Sequence, residues 1–439
     1  MTFLEQARAA VDQAELYTLR RKTVQVRFAE NTLDLVARRD ASACALRVIS
    51  GGRLGASVGE SALQRLLDDA RETAAFGQPA TFSFASPQAN PDVSGFDPDV
   101  ETLTAGDLID RVIDVRDRIV RAEPDATAHL VCEAETGERA VETTEGADAR
   151  EPFSRVTLGV RLSFPSQSAD GGAGARLIST GPIAVAEDWI ERLLEMRAWG
   201  ATASVPASGR MPVLLTPYVS NLLTWTLVAC LGSDRVAAGA SPLADRLGER
   251  ILSERLTIRE DPTADGSPFR RSFDDEGIAV QPRTIIERGV LRGFLTDLRG
   301  AADLGSAPTG NAARRTMFSE KIEDAPAPGW LGAVIEPGTR SWRDLLRAIE
   351  EGILVTSLSG LHSSNLLQGQ YAVQVSGFHV RHGKPIGHLT RTMLMGNVFE
   401  DFATLRGVSR EREPTPQAET EVAGLAPYLL LDTAQVIVG

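Results

Sequence analysis

The chain has 439 residues, and its 46 Lys and Arg against 59 Asp and Glu leave a net charge of −13. At roughly 100–200 residues per domain, that length predicts two or three domains. A hydrophobic content of 43% and a charged content of 24% exclude a disordered, collagenous or coiled-coil chain, and the acidic balance argues against nucleic-acid binding, which needs clustered Lys and Arg to neutralise phosphates.

The three cysteines, Cys44, Cys132 and Cys230, are far apart. They offer no disulfide framework and no metal knuckle, so a reducing, cytoplasmic setting is expected. The N-terminal residues lack the basic and apolar regions of a signal peptide. The longest apolar run, residues 222–231, is too short for the ~20 residues of a membrane span.

In chain order, Thr2 and Glu5 form a capping-box pattern, and Leu4, Ala7 and Val11 recur at helical spacing. Val24, Val26 and Phe28 alternate as in a strand. Glu30-Asn31 reads as a turn into a second strand carrying Leu33, Leu35 and Ala37. Residues 45–58 read as a hairpin around Gly51-Gly52, and residues 61–75 as a helix. Residues 78–100 are rich in Pro, Ser, Asn and Asp and read as a long loop. Residues 104–121 form an amphipathic helix with Leu108, Val112, Val115 and Ile119 on one stripe. Residues 126–177 read as antiparallel strands, and Ile190, Leu193 and Leu194 mark another helix. The small, Pro- and Gly-bearing stretch 201–210 is the expected domain boundary, giving domains 1–206 and 207–439. In the second half, residues 283–295 predict a hairpin turning at Arg288-Gly289. Residues 371–394 predict another, turning at Gly383-Lys384. Residues 410–422, polar with two prolines, read as a loop. The fold class is α+β: an N-terminal domain of helices on an antiparallel sheet, then a strand-rich, mainly antiparallel C-terminal domain.

Five histidines are present, at 129, 362, 379, 382 and 388. No helical HExxH or HExxxH motif exists, so two imidazoles on one helix face are excluded. With a turn at Gly383-Lys384, His379 and His388 would face each other across a hairpin and offer two ligands to a metal. His362-Ser363-Ser364 places nucleophile and base types together, but without a GxSxG elbow. The cluster Asp274-Asp275-Glu276 could bind a metal, accept hydrogen bonds from a peptide, or pair with Arg270 and Arg271. Pro308-Thr309-Gly310-Asn311 is a second polar turn where backbone can approach a ligand.

These motifs together resemble the TldD/PmbA family, also called modulators of DNA gyrase. Phe273-Asp274-Asp275-Glu276-Gly277, the hairpin with Gly289-Val290-Leu291-Arg292-Gly293-Phe294, and Pro308-Thr309-Gly310-Asn311-Ala312 occur in the family's order. Gly352-Ile353-Leu354-Val355-Thr356, Ser376-Gly377-Phe378 and Gly396-Asn397 follow. In the first half, Leu46-Arg47-Val48-Ile49 with Gly51-Gly52-Arg53-Leu54-Gly55 looks like the family's first hairpin. The resemblance implies two kinds of subunit. A TldD-like one carries zinc on a helical HExxxH and a later Cys; a TldE-like (PmbA-like) one lacks these ligands. Here the corresponding helix, about residues 217–231, offers neither His nor Glu, and no Cys follows Gly407. The resemblance therefore implies the metal-free subunit, with no cofactor of its own. It would pair with a TldD-like zinc-bearing partner, act on peptides or unfolded proteins, and complete the substrate cavity with no catalytic residue. Asp274, Asp275, Glu276, Thr309, Gly310 and Asn311 are the substrate-binding candidates. The alternatives are a stand-alone hydrolase using the C-terminal histidines or a recruited metal, and a homodimeric binding or scaffold protein.

Overall fold

The computed structural model describes residues 3–60, 62–163, 172–314, 322, 324–415 and 423–439. The proposed cap at Thr2 lies outside these residues. The first half is built from α1 (Phe3–Ala10), β1 (Gln13–Ala29), β2 (Thr32–Ser50), β3 (Arg53–Gly59), α2 (Leu63–Ala74), α3 (Ala105–Ala122), β4 (Ala128–Thr143), β5 (Asp148–Ser163), β6 (Gly172–Ser179) and α4 (Glu187–Trp199). The strands form one antiparallel sheet in the order β3-β2-β1-β4-β5-β6.

Turn chemistry sets these hairpins. Glu30 and Asn31 both take positive φ, as do Gly51 and Gly52, which is the backbone of tight turns that follow a sheet's twist. Helix α3 starts on a reciprocal cap: Thr104 Oγ1 accepts from the Asp107 N–H, while Asp107 Oδ2 accepts from the Thr104 N–H at 2.8 Å. Its stripe Leu108, Val112, Val115 and Ile119 is buried with Val26, Phe28, Leu130 and Leu158 of the sheet. Each such aliphatic side chain contributes about 1.5–3 kcal/mol on burial, so a charge at Val112 would undo the helix's attachment.

The second half supplies β7 (Ala203–Ser204), β8 (Gly209–Leu215), α5 (Asn221–Leu231), α6 (Ser233–Ala237), β9 (Ile258–Glu260), β10 (Arg283–Glu287), β11 (Val290–Leu291), α7 (Leu298–Asp303), β12 (Ala312–Ala313), β13 (Ala327–Pro328), β14 (Ala333–Ile335), α8 (Trp342–Arg347), β15 (Glu351–Ser359), β16 (Gln370–Arg381), β17 (Lys384–Leu389), β18 (Thr392–Asn397), α9 (Val398–Asp401), β19 (Leu405–Thr415) and β20 (Gly424–Val438). Among the described residues, twelve strands form one mixed sheet around β20. Leu214, Phe378 and Leu430 of this sheet share a core with α3 and the first sheet, so the two halves pack through apolar side chains.

Two expectations need correction. The hairpin at 371–394 turns at His382-Gly383, both with positive φ, and Arg381 pairs Lys384. Its second arm breaks at Arg391, φ 47°, into β17 and β18, which pair with different stretches of β16. Residues 410–415 are not loop but the end of β19. Among the described residues that strand ladders with β20 and otherwise bridges only Arg340 at Ser409, so Pro414 lies where an edge tolerates it; residues 416–422 lie outside the described ones. Residues 78–97 are irregular, as expected of the loop read at 78–100, and hydrogen bonds strap them down. Phe84 N–H donates to Gln13 Oε1 at 2.9 Å, Ala85 O accepts from Thr143 Oγ1 at 2.7 Å, and Gln88 Oε1 accepts from Ala279 N–H at 3.0 Å.

Candidate functional site

The six candidate residues, far apart in sequence, meet at the seam between the two sheets. Gly277, φ +79°, closes the acidic turn, and its N–H donates to Asp274 O. Asp274 Oδ1 accepts from the N–H groups of Glu276 and Ile278, and its Oδ2 from Ala312 N–H, all at 2.9 Å. Asp275 holds the buried Arg271 guanidinium at 2.7 Å through Oδ1 and the Arg314 N–H at 2.7 Å through Oδ2. The acidic turn is thereby bound to the segment after Asn311. Thr309 Oγ1 donates to Asn311 Oδ1 at 2.7 Å, and Asn311 Nδ2 donates to Gly329 O at 3.1 Å. Gly310, φ +70°, passes so close to Ala279 that a Cβ would lie 2.8 Å from its carbonyl oxygen.

Glu276 reaches across to the first sheet. Arg47 donates from Nε and Nη2 to the two oxygens of Glu15, at 2.8 and 2.6 Å, and from Nη2 to Glu276 Oε1 at 2.8 Å. Glu276 Oε2 accepts the Leu298 N–H at 2.7 Å. Arg314 Nη2 approaches Glu15 Oε1 at 3.4 Å. Phe82 and Phe84 of the strapped loop lie 6.0 and 5.2 Å from the Arg47 guanidinium carbon, covering it. On the next strands, Glu151 Oε2 accepts both the N–H and the hydroxyl of Ser272, at 2.7 and 2.6 Å.

Burial governs the electrostatics. Asp274, Asp275 and Glu276 are 0, 2 and 0% exposed. Desolvation pushes the Asp274 carboxyl up to about 7 against three N–H donors, and the Glu276 carboxyl up to about 8 against the pull of Arg47. Burial works against the Arg47 charge too, but Glu15 and Glu276 outweigh it and hold the guanidinium protonated. As placed, the three carboxyls are engaged by protein groups. Their arrangement supports the Thr309–Asn311 turn rather than presenting oxygens to a ligand.

Sequence reasoning missed Glu15, Arg47, Glu151, Arg314 and Glu260. Opposite charges at Glu15 and Arg47, set within apolar strand residues, are the available signal, since the two are cross-strand partners. Glu260, 1% exposed, accepts Leu331 N–H at 2.9 Å and Gly332 N–H at 3.2 Å through Oε1; Oε2 is buried with no well-formed hydrogen bond among the described residues, although the Asn311 side chain lies close enough to favour the charged form. Desolvation pushes this carboxyl up to about 8. A carboxyl raised on folding favours the folded state most below its unfolded value near 4.5 and loses that contribution as pH climbs through about 8. Glu260→Gln should therefore match the natural chain near pH 4.5 and melt higher at pH 8–9, by at most about 1.4 kcal/mol per pH unit of that window. Parallel melting curves of the two proteins from pH 4.5 to 9 would refute it.

The C-terminal histidines do not converge. A bulge between His379 and Val380 pairs His388 with Phe378, which places the two imidazoles on opposite faces. His379 lies between Ser204 Oγ, 2.7 Å from Nδ1, and Glu351 Oε1, 2.7 Å from Nε2; His388 Nδ1 lies 2.9 Å from Gly200 O. The first arrangement ties the short edge strand β7 to β16.

The helix position that the family resemblance associates with zinc is α5, preceded by a 3-10 turn at Pro217–Ser220. Thr226 donates to Leu222 O at 2.9 Å, and Trp330 Nε1 donates to Thr224 O at 3.0 Å. Cys230 is buried, its thiol 3.4 Å from Leu367 O, and desolvation pushes it up to about 12. Zinc takes thiolate, imidazole or carboxylate. A single thiol among hydroxyl and apolar side chains does not supply the three or four ligands that ion needs. Among the described residues, no group of three or more His, Cys, Asp or Glu is placed to hold a metal, and no helix is long and apolar enough to cross a membrane.

Two packed sheets joined through a buried ionic seam define an α+β protein. Residues 208–438 match the family model described as the PmbA/TldA metallopeptidase C-terminal domain, and residues 14–74 match PmbA/TldA metallopeptidase domain 1. The chain belongs to the TldD/PmbA metallopeptidase family. It is 28% identical over 257 residues to a metalloprotease of Methanothermobacter thermautotrophicus, covering 58% of this chain and 54% of that protein. It is 28% identical over 209 residues to the zinc metalloprotease TldD homolog of Saccharolobus solfataricus, covering 47% and 46%. The matches thus span about half the length of these curated relatives. The crystal structure of TldE from Thermococcus kodakarensis superposes with a TM-score of 0.89 at 22% identity, covering 99% of each chain, and so shares the fold.

Proposed function

We propose that this chain is the metal-free, TldE-like subunit of a two-subunit zinc metallopeptidase acting on peptides or unfolded proteins in the cytoplasm. The observation that carries the reading is α5: it has neither His nor Glu, and its one thiol, Cys230, is buried. The zinc and the hydrolytic chemistry then belong to a TldD-like partner. This chain contributes cavity wall, with Asp274, Asp275 and Glu276 fixing the turn of Thr309, Gly310 and Asn311. An extended peptide gains main-chain hydrogen bonds from an exposed strand edge whatever its sequence, which suits varied substrates. The domain division at 206/207 is part of the same proposal.

The test is co-expression with a TldD-like protein from the same genome. The expected result is a stable complex on size exclusion at micromolar concentration, with zinc tracking the partner and peptide cleavage requiring both chains. An obligate interface of this kind buries about 2,000 Å² or more. Separate elution of two folded chains, or about one zinc bound per copy of this chain purified alone, would overturn the reading.

A further inference from the structure

A cleft of about 480 Å³ opens between the outer strands of the first sheet, α4 and the second sheet. That volume lies within the range of small-molecule sites, about 300–1,000 Å³. The cleft is separate from the seam of Glu15, Arg47 and Glu276. Among the described residues its lining includes Arg161, Arg176 and Arg192, with His129 beside them, against a single carboxylate, Glu413. Glu413 is already paired with Arg192 at 2.7 Å. In a chain of net charge −13, this is a local excess of positive charge.

Strand register explains how the cations are displayed. Across β4, β5 and β6, His129, Arg161 and Gly174 form one row, and Val131, Gly159 and Arg176 the next. All six belong to one face, because paired residues share a face and faces repeat every second residue. Arg161 and Arg176 are diagonal neighbours, about 7–8 Å apart at the backbone, and each stands opposite a glycine. Those glycines are not demanded by packing: a Cβ at 159 would meet nothing nearer than 3.9 Å, and one at 174 nothing nearer than 3.6 Å. Neither has the positive φ that requires glycine. Glycine inside a strand weakens it and commonly marks close approach of a ligand; here it leaves open floor between two guanidiniums.

The opposite wall offers hydroxyls. Thr216 Oγ1, at the end of β8, is buried and without a partner. A register shift in β15 between Val355 and Ser357 takes Thr356 off the ladder, and Thr356 and Ser357 both line the cleft. Met196, Pro217 and Tyr218 add an apolar side. Paired guanidiniums suit a planar oxyanion, hydroxyls complete its hydrogen bonding, and the apolar side suits a hydrocarbon body.

We propose that this cleft binds a carboxylate-bearing ligand with an apolar body, its carboxylate held by Arg161 and Arg176. Two sources share that chemistry: the C-terminal end of a peptide and a free small carboxylic acid. The proposal concerns this chain alone and stands whether or not a TldD-like partner exists.

The full chain would be titrated with three probes: a fluorescent N-acylated tripeptide ending in leucine, the same peptide as its C-terminal amide, and N-acetyl-leucine as an unlabelled competitor. The free acid is expected to bind at least tenfold more tightly than the amide, with affinity falling as salt is raised. Arg161→Ala/Arg176→Ala, two exposed positions, should reduce binding of the acid at least tenfold to the level of the amide, without changing the melting temperature. Gly159→Leu, which fills the floor without changing charge, should have the same effect. Displacement by N-acetyl-leucine at the tripeptide's own concentration range assigns the free acid as ligand; displacement only at tenfold higher concentration assigns the peptide end. Equal binding of acid and amide, binding of neither, or unchanged binding by the double variant overturns the proposal.

Discussion

Arg47→Ala is expected to destabilise the chain by about 3–5 kcal/mol, the loss that follows when one partner of a buried ion pair is removed. Among the described residues, Arg47 is the one cation bonded to both Glu15 and Glu276, at 2.6–2.8 Å, and both residues are 0% exposed. Without it, two buried carboxyls, one from β1 and one from the acidic turn, lose their shared cation, and the contacts of Phe82 and Phe84 to the guanidinium go with it. Burial then drives the remaining carboxyls to take up protons. The deficit should therefore be smaller near pH 5 than at pH 8. Arg47→Lys should recover only part of the loss, since an ammonium cannot reproduce a two-pronged contact plus a third bond. Arg47→Met combined with Glu15→Gln and Glu276→Gln should recover more than Arg47→Lys, because it removes the stranded charge itself. Urea unfolding of the four variants at both pH values gives the answer. A loss of under about 0.5 kcal/mol for Arg47→Ala would class the pair with surface ion pairs, and with it the idea that the seam holds the sheets together.

Much of the fold was legible because its turns announce themselves. Glu30-Asn31, Gly51-Gly52 and Arg288-Gly289 all sit where the sequence places hairpins, each with the positive φ that such turns require. The stripe of α3 was equally plain, since its four apolar residues are the four that are buried. What the sequence does not carry is register. A simple two-residue turn at Glu30-Asn31 would set Glu15 against Leu46. A bulge between Arg27 and Phe28 shifts the pairing by one and sets Glu15 against Arg47. One residue of slip turns every side chain to the other face, so the central ion pair of the seam depends on a local irregularity without a strong sequence mark. The same kind of shift, between His379 and Val380, separates the two histidines that a regular hairpin would have brought together. Residue types found the acidic turn and the Thr309–Asn311 turn. Their meeting, their burial and their bonds to the first sheet are long-range facts of packing.

Asp275→Ala is the second large effect, expected at about 3–5 kcal/mol. Both oxygens of Asp275 are committed: one to the guanidinium of Arg271, which is 2% exposed, the other to the backbone N–H of Arg314. Alanine strands a buried cation and a buried amide at once. Asp275→Asn keeps the shape but offers one acceptor where two donors converge, so it should also destabilise, though less. The functional consequence follows from position. Asp275 Oδ2 accepts the Arg314 N–H, so losing the carboxylate loosens the strand that leads out of Gly310-Asn311, although the backbone bond from Asp275 N–H to Ala312 O remains. Melting, complex formation with a TldD-like partner and peptide cleavage must then be measured on the same preparations. The expected pattern is a large drop in melting temperature, with cleavage per folded complex reduced in proportion to the disorder of that turn, and partial rescue of both by Asp275→Asn. Lost cleavage with an unchanged melting temperature would instead mean that Asp275 meets the substrate itself. Unchanged melting together with unchanged cleavage would remove the acidic turn from both the seam and the site.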